Sequence, residues 1–133
     1  MRQRPRVGEE VAHSVTVTPA MTARLFGRQI HPVYATAWMV RHVEEAGRLL
    51  VERYLGMDED ATGFRIELVH EAPAFVGDRL TVTATATRVN DDECACDFEV
   101  HGPAGLLGQG VFVQRYVRRG RLEAAAKQRT EGG

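Results

Sequence analysis

Apolar residues recur with a helical period from Ala35 to Val51. At about 100° per residue, Met39, Val40, Val43, Ala46, Gly47, Leu50, Val51 and Tyr54 gather on one broad arc. Arg41, His42, Glu45, Arg48 and Glu52 take the opposite side, so the spacing predicts one long amphipathic helix. Pro32 disfavours a helical His31 and puts the start after it, while Gly56 suits a C-cap near Leu55. Elsewhere the period is two. Val11 to Thr18 alternates as a first strand ended by Pro19; Thr22 to Phe26 predicts a short helical turn, and Gly27 to Pro32 a loop. The even positions of Phe64 to Ala72 read Phe, Ile, Leu, His, Ala, which is one apolar strand face carrying His70. A turn at Pro73 to Asp78 leads to Arg79–Val89, a long strand rich in β-branched residues. Asn90-Asp91-Asp92 turns into Glu93–His101, Gly102 to Gly105 turns again, and Leu106–Val117 is the last strand. Gly120 onward reads as a short polar helix or a loose tail, with residues 130–133 disordered.

One helix after one strand, followed by four antiparallel strands, predicts an α+β domain in which a sheet wraps the helix. A single domain spans 1–133, with its core at about 7–118. Long edge strands would stay exposed, and pairing of two copies would cover one of them. With 44% hydrophobic and 26% charged residues and a net charge of −1, no general attraction to nucleic acid or anionic membrane follows. No apolar run approaches the ~20 residues of a membrane helix. The basic start, Met1 to Arg6, lacks the hydrophobic segment of a secretory signal. Cys94 and Cys96 lie on one strand face, poorly placed for a mutual disulfide, and no second Cys/His cluster completes a metal site. A reduced, cytoplasmic setting is the simplest expectation.

Two side chains break this pattern. Glu44 falls at the rim of the apolar arc beside Val40 and Val51, with Thr36 two turns earlier on the same side; His70 points where hydrophobic residues point. Partly buried titratable groups are costly unless paired, so both are candidates for chemistry. The bland alternatives are a surface glutamate tucking its stem, a satisfied core histidine, and a threonine that merely caps a helix amide. His31 in a loop and His42 on the polar helix face are weaker candidates, and His13 and His101 read as solvated strand residues.

The order of elements resembles the hot-dog fold, common among acyl-CoA thioesterases and dehydratases. Val76-Gly77-Asp78-Arg79-Leu80 looks like a turn widespread in that superfamily. The closer resemblance is to the fluoroacetyl-CoA thioesterase type. It runs from about Arg6 to Val117 and rests on Arg6-Val7-Gly8-Glu9, Val33-Tyr34-Ala35-Thr36, Met39-Val40, Glu44, Gly63 and Val69-His70. By that resemblance Thr36, Glu44 and His70 match the catalytic trio, and Gly63 a glycine lining the acyl site. The segment from Met21 to Tyr34 looks shorter than that family's lid. The resemblance implies hydrolysis of a small or medium acyl-CoA by a homodimer or tetramer whose site lies at the interface. It implies no metal and no redox cofactor, with coenzyme A entering as part of the substrate.

Thioester hydrolysis needs an activated water or nucleophile, an oxyanion stabiliser and proton delivery. Thr36 lies in the first helical turn, where free amides favour negative charge, and the amides of Thr36, Ala37 and Trp38 could polarise a thioester carbonyl. Tyr34, Ala37 and Gly63 are candidate substrate contacts. Glu44, in partly apolar surroundings, is expected to have a raised pKa and either to activate water or to attack the carbonyl. His70 would share the proton work or orient the water. Arg115, Arg118, Arg119 and Arg121 form a basic cluster that could hold the phosphates of coenzyme A or simply a solvated edge, and Arg115 is the candidate contact among them. The rival readings are a hot-dog dehydratase or hydratase, and a non-catalytic binder of acyl-CoA or another small lipophilic ligand.

Overall fold

The computed structural model describes residues 2–132; Met1 and Gly133, and with the latter the last residue of the expected disorder, lie outside them. The described elements are β1 (Glu10–Thr16), β2 (Thr22–Leu25), β3 (Arg28–Tyr34), α1 (Thr36–Val51), β4 (Glu59–His70), β5 (Arg79–Val89), β6 (Glu93–Gly102), β7 (Gly105–Arg118) and α2 (Arg121–Gly132). Five strands form an antiparallel sheet in the order β1-β5-β6-β7-β4, and β2 pairs with β3 alone.

Alternation decides which side chains reach the helix. Leu80, Val82, Ala84 and Ala86 of β5, with Cys94, Cys96, Phe98 and Val100 of β6, are buried against Met39, Val43, Ala46 and Leu50 of α1. Full burial of an aliphatic side chain contributes about 1.5–3 kcal/mol, so this one seam accounts for much of the α1–sheet attachment. Cys94 and Cys96 are free thiols on that inner face; burial pushes them up to about 11 and about 12 respectively. The α+β layout is therefore the expected one, with α1 lying in the curve of the sheet.

Several details differ from expectation. Residues 22–34 are a β-hairpin rather than a helical turn and a loop. Leu25 pairs with Arg28 around Phe26 and Gly27, whose φ angles of 55° and 77° are the paired positive values of a type I′ turn. Pro32, unable to donate to a ladder, sits where the register slips between Thr22 and Ala23. The strand expected from Phe64 starts five residues earlier, at Glu59, whose carboxylate is held by Arg4 at 2.7 Å and by the Gly56 amide at 3.0 Å. Gly56 does not cap α1: the C-cap is Glu52, and a 3-10 turn over Glu52–Tyr54 intervenes. Of the two readings of the tail, helix α2 corresponds to the short polar helix, and it runs through Gly132.

Candidate active site

The chain approaches α1 along β3, pinned by backbone bonds from Tyr34 N–H to Ala74 O at 2.9 Å and from Ala35 N–H to Met21 O at 2.8 Å. Ala35 is the N-cap and supplies no side-chain acceptor. The Trp38 amide donates to Ala35 O at 3.1 Å, which removes it from the expected oxyanion donors. The Thr36 and Ala37 amides have no acceptor among the described residues, and both residues are exposed. At this positive helix end, Thr36 Oγ1 meets His70 Nδ1 at 2.8 Å, from the last residue of β4. Residues 34 positions apart in sequence are thus joined beside two free N–H groups.

Glu44 lies elsewhere. Eight residues beyond Thr36 on the same helix, it is about 12 Å further along the axis. It lines a groove of about 220 Å³ with Val40, Gly63, Phe64, Arg65, Ile66 and Phe112. A Cβ on Gly63 would stand 3.3 Å from Glu44 Oε2, so the glycine is what lets the carboxylate lie close against β4. Contrary to the expected half-burial, Glu44 is exposed in the single chain, and among the described residues it has no hydrogen-bond or ion-pair partner. One chain therefore brings Thr36 to His70 and Glu44 to Gly63, at two separate places along α1.

Arg115 faces Thr62 across the β4–β7 ladder, its guanidinium carbon 3.5 Å above the Phe64 ring and its Nε 3.6 Å from Glu93. It thus borders the Glu44 groove through Phe64. Arg119 is taken up by fold contacts instead, donating to Met57 O at 3.1 Å and Glu59 O at 2.8 Å. Arg118 and Arg121 are exposed.

The residue that pattern reading missed is His42. Placed on the polar helix face, it is 3% exposed because β1 packs over that side and brings His13 to Glu45 at 3.0 Å. His13 is accordingly a half-buried, paired residue rather than a solvated one, whereas His101 is exposed beside Glu99. His42 Nδ1 is hydrogen-bonded to the Tyr34 hydroxyl, and Tyr34 itself is 1% exposed, so the single chain offers substrate no Tyr34 surface. No local pattern in the sequence marks this burial, because it depends on β1 packing over the polar side of α1. Burial holds the His42 pKa below the usual histidine value, opposed by Glu45 and reinforced by His13 and Arg41. The unfolded chain then takes up this proton at about pH 6.5, before the folded one does. Stability from this group is full above about pH 6.5 and is lost as the pH falls below it. Melting temperatures measured between pH 7.5 and 5.5 should fall, and His42→Asn should flatten that part of the curve; an unchanged slope in the variant would refute the assignment.

A family model described as FlK, fluoroacetyl-CoA-specific thioesterase, matches residues 17–119. Among solved structures, a Thermus thermophilus hypothetical protein of the thioesterase superfamily is 34% identical, with a TM-score of 0.90, over 98% of this chain and 96% of that one. The fluoroacetyl-CoA thioesterase FlK is 27% identical with a TM-score of 0.87, over 92% of this chain and 96% of its own. A variant of that enzyme in complex with acetyl-CoA aligns over 94% and 98% at 27% identity with a TM-score of 0.88. No curated protein matches the chain. A hot-dog-like protein from Thermanaerovibrio acidaminovorans, 22% identical with a TM-score of 0.82, shares the fold. A long helix held in a curled antiparallel sheet, with a threonine and a histidine meeting at its N-terminus, is thus set within a match of more than 100 residues: the chain belongs to the fluoroacetyl-CoA-specific thioesterase family, hot-dog enzymes that hydrolyse thioesters.

Proposed function

We propose that this chain hydrolyses a small or medium acyl-CoA thioester to the free acid and coenzyme A, as a cytoplasmic homodimer, without metal or redox cofactor. The observation that carries the reading is the Thr36–His70 contact at a helix end with two free amides. The Thr36 and Ala37 N–H groups would receive the oxyanion that forms when the thioester carbonyl is attacked. Glu44 would take the proton from the attacking water or attack directly, and His70, oriented by Thr36, would pass a proton to the departing thiolate. Gly63 would admit the acyl group to the groove, and Arg115 at its rim would meet coenzyme A phosphate.

Because Glu44 stands about 12 Å from Thr36 along one helix, a complete site calls for Glu44 from a second copy. Burial at that junction would also supply the apolar surroundings the exposed carboxylate lacks. The exposed side chains of Phe64 and Val69 on the edge strand β4 support pairing there. The relatives solved with acetyl-CoA, and with fluoroacetate and CoA, support a short acyl group.

The test is release of free thiol from a panel of short, branched, aromatic and long acyl-CoAs. Turnover should be confined to the shorter members. Binding of acyl-CoA without release of thiol on any of them would make the chain a binding protein. Inactive Glu44→Gln and His70→Ala chains, refolded together, should recover activity toward about a quarter of the parent's, since half the dimers are mixed and each has one intact site. Absence of recovery in verified mixed dimers would place the whole site within one chain.

A further inference from the structure

Tyr34 and His42 form a buried polar pair that the proposed chemistry does not use. Tyr34 is the residue before the N-cap of α1, and His42 lies two turns into that helix. Their rings lie nearly parallel, 5.7 Å apart at 6°, with the hydroxyl bonded to Nδ1. On its other side the Tyr34 ring meets the His70 ring edge-on, centroids 6.3 Å apart at 69°. His42 is enclosed by Trp38 at 5.7 Å and His13 at 6.2 Å, and Arg41 stacks over Trp38 at 4.9 Å. The charged or titratable groups facing the pair are thus His13 from β1, Glu45 and Arg41 from α1, and His70 from β4.

A buried hydroxyl and a buried imidazole nitrogen each lose water, and each here is compensated by the other. That bond spans the junction where β3 becomes α1, so it sets the direction in which the Thr36 and Ala37 amides leave the helix. The same tyrosine ring is the wall against which His70 stands while it contacts Thr36. We infer that Tyr34 and His42 are positioning residues for the reaction centre: their hydrogen bond fixes the helix end and the His70 ring in one arrangement. This rests on the reading that Thr36 and His70 are the reacting site. Placement errors of about 1 Å at such a centre cost up to 100-fold in rate, whereas substrate held mainly by its coenzyme A portion keeps its affinity.

Four variants test it on the acyl-CoA that the parent turns over best. Tyr34→Phe keeps the ring and removes the hydroxyl, and His42→Leu keeps the volume and removes the nitrogen. His42→Asn places an amide oxygen where Nδ1 stands and so retains an acceptor. His70→Ala reports on the underlying site. Tyr34→Phe and His42→Leu should lower kcat about tenfold with KM within twofold, while His42→Asn stays within about threefold of the parent kcat. Lower melting temperatures with parental kcat in Tyr34→Phe and His42→Leu would make the pair structural only and overturn the inference. A rise in KM at constant kcat would overturn it too, by moving the pair to binding. Full turnover by His70→Ala would overturn the reading of the site and the inference with it; an inactive His70→Ala beside a fully active Tyr34→Phe would overturn the inference alone.

Discussion

Glu44→Gln should lower kcat about a thousandfold and leave the melting temperature unchanged. Removal of a general base costs 10²–10⁴ in rate, and glutamine has the same shape but cannot take a proton at neutral pH. The fold has little to lose. Within the chain Glu44 makes no hydrogen bond or ion pair among the described residues, and glutamine fills the same space, so the change in stability should stay within about 0.5 kcal/mol. A steady-state assay beside a thermal melt reads both quantities on one sample. Separation of the two effects is what distinguishes a reacting group from a rim residue tucking its stem. Retention of a tenth or more of the parental kcat would remove Glu44 from the reaction.

Gly110→Ala should act the other way, through the scaffold. Gly110 of β7 pairs with Leu68 of β4 and with Phe98 of β6. A Cβ built on it falls 1.8 Å from the carbonyl oxygen of Glu67 and 3.0 Å from Phe98 Cζ. The first obstacle is backbone and cannot rotate away, so β4 must be displaced from β7. Overpacking of a well-filled core costs about 1–3 kcal/mol and sometimes more, and a loss of about 3 kcal/mol here corresponds to roughly 10 °C in melting temperature. β4 carries both Gly63 and His70, so kcat should fall as well, even well below the melting temperature. A variant with parental melting temperature would show that the strands part without cost.

The contrast with Glu44 bears on what could be read from residues alone. Helix α1 was legible because its apolar residues keep one arc over more than four turns, and β5 and β6 because buried and less buried residues alternate from Leu80 to Ala86 and from Cys96 to Val100. Thr36, Glu44, Gly63 and His70 were singled out as a set by the family resemblance, and the structure places Thr36 against His70 and Glu44 against Gly63. Three things were not legible. The β2–β3 hairpin is largely exposed on both faces, so its residues carry no period; only Phe26-Gly27, with its positive φ values, marks it. The first turn of β4 is polar and is fixed by arginines from the far N-terminal segment, a pairing across 55 residues that no local pattern encodes. His42 looked solvated because a helical wheel knows nothing of what lies opposite its polar side; here β1 covers it. Glu44 differs in the reverse sense: its place at the rim of the apolar arc predicts partial burial, and no described element covers it.

The two free cysteines have a practical bearing. Cys94 and Cys96 are each about 1% exposed, and burial holds both thiols far above neutral pH in ionisation. Thiolates, not thiols, react with disulfide reagents, so the folded protein should be silent at pH 7.5 toward the chromogenic reagent that detects liberated coenzyme A. Any absorbance then counts product. Opening of the sheet would unmask two equivalents per chain, so the same cuvette records turnover while the fold holds and its loss when it gives way.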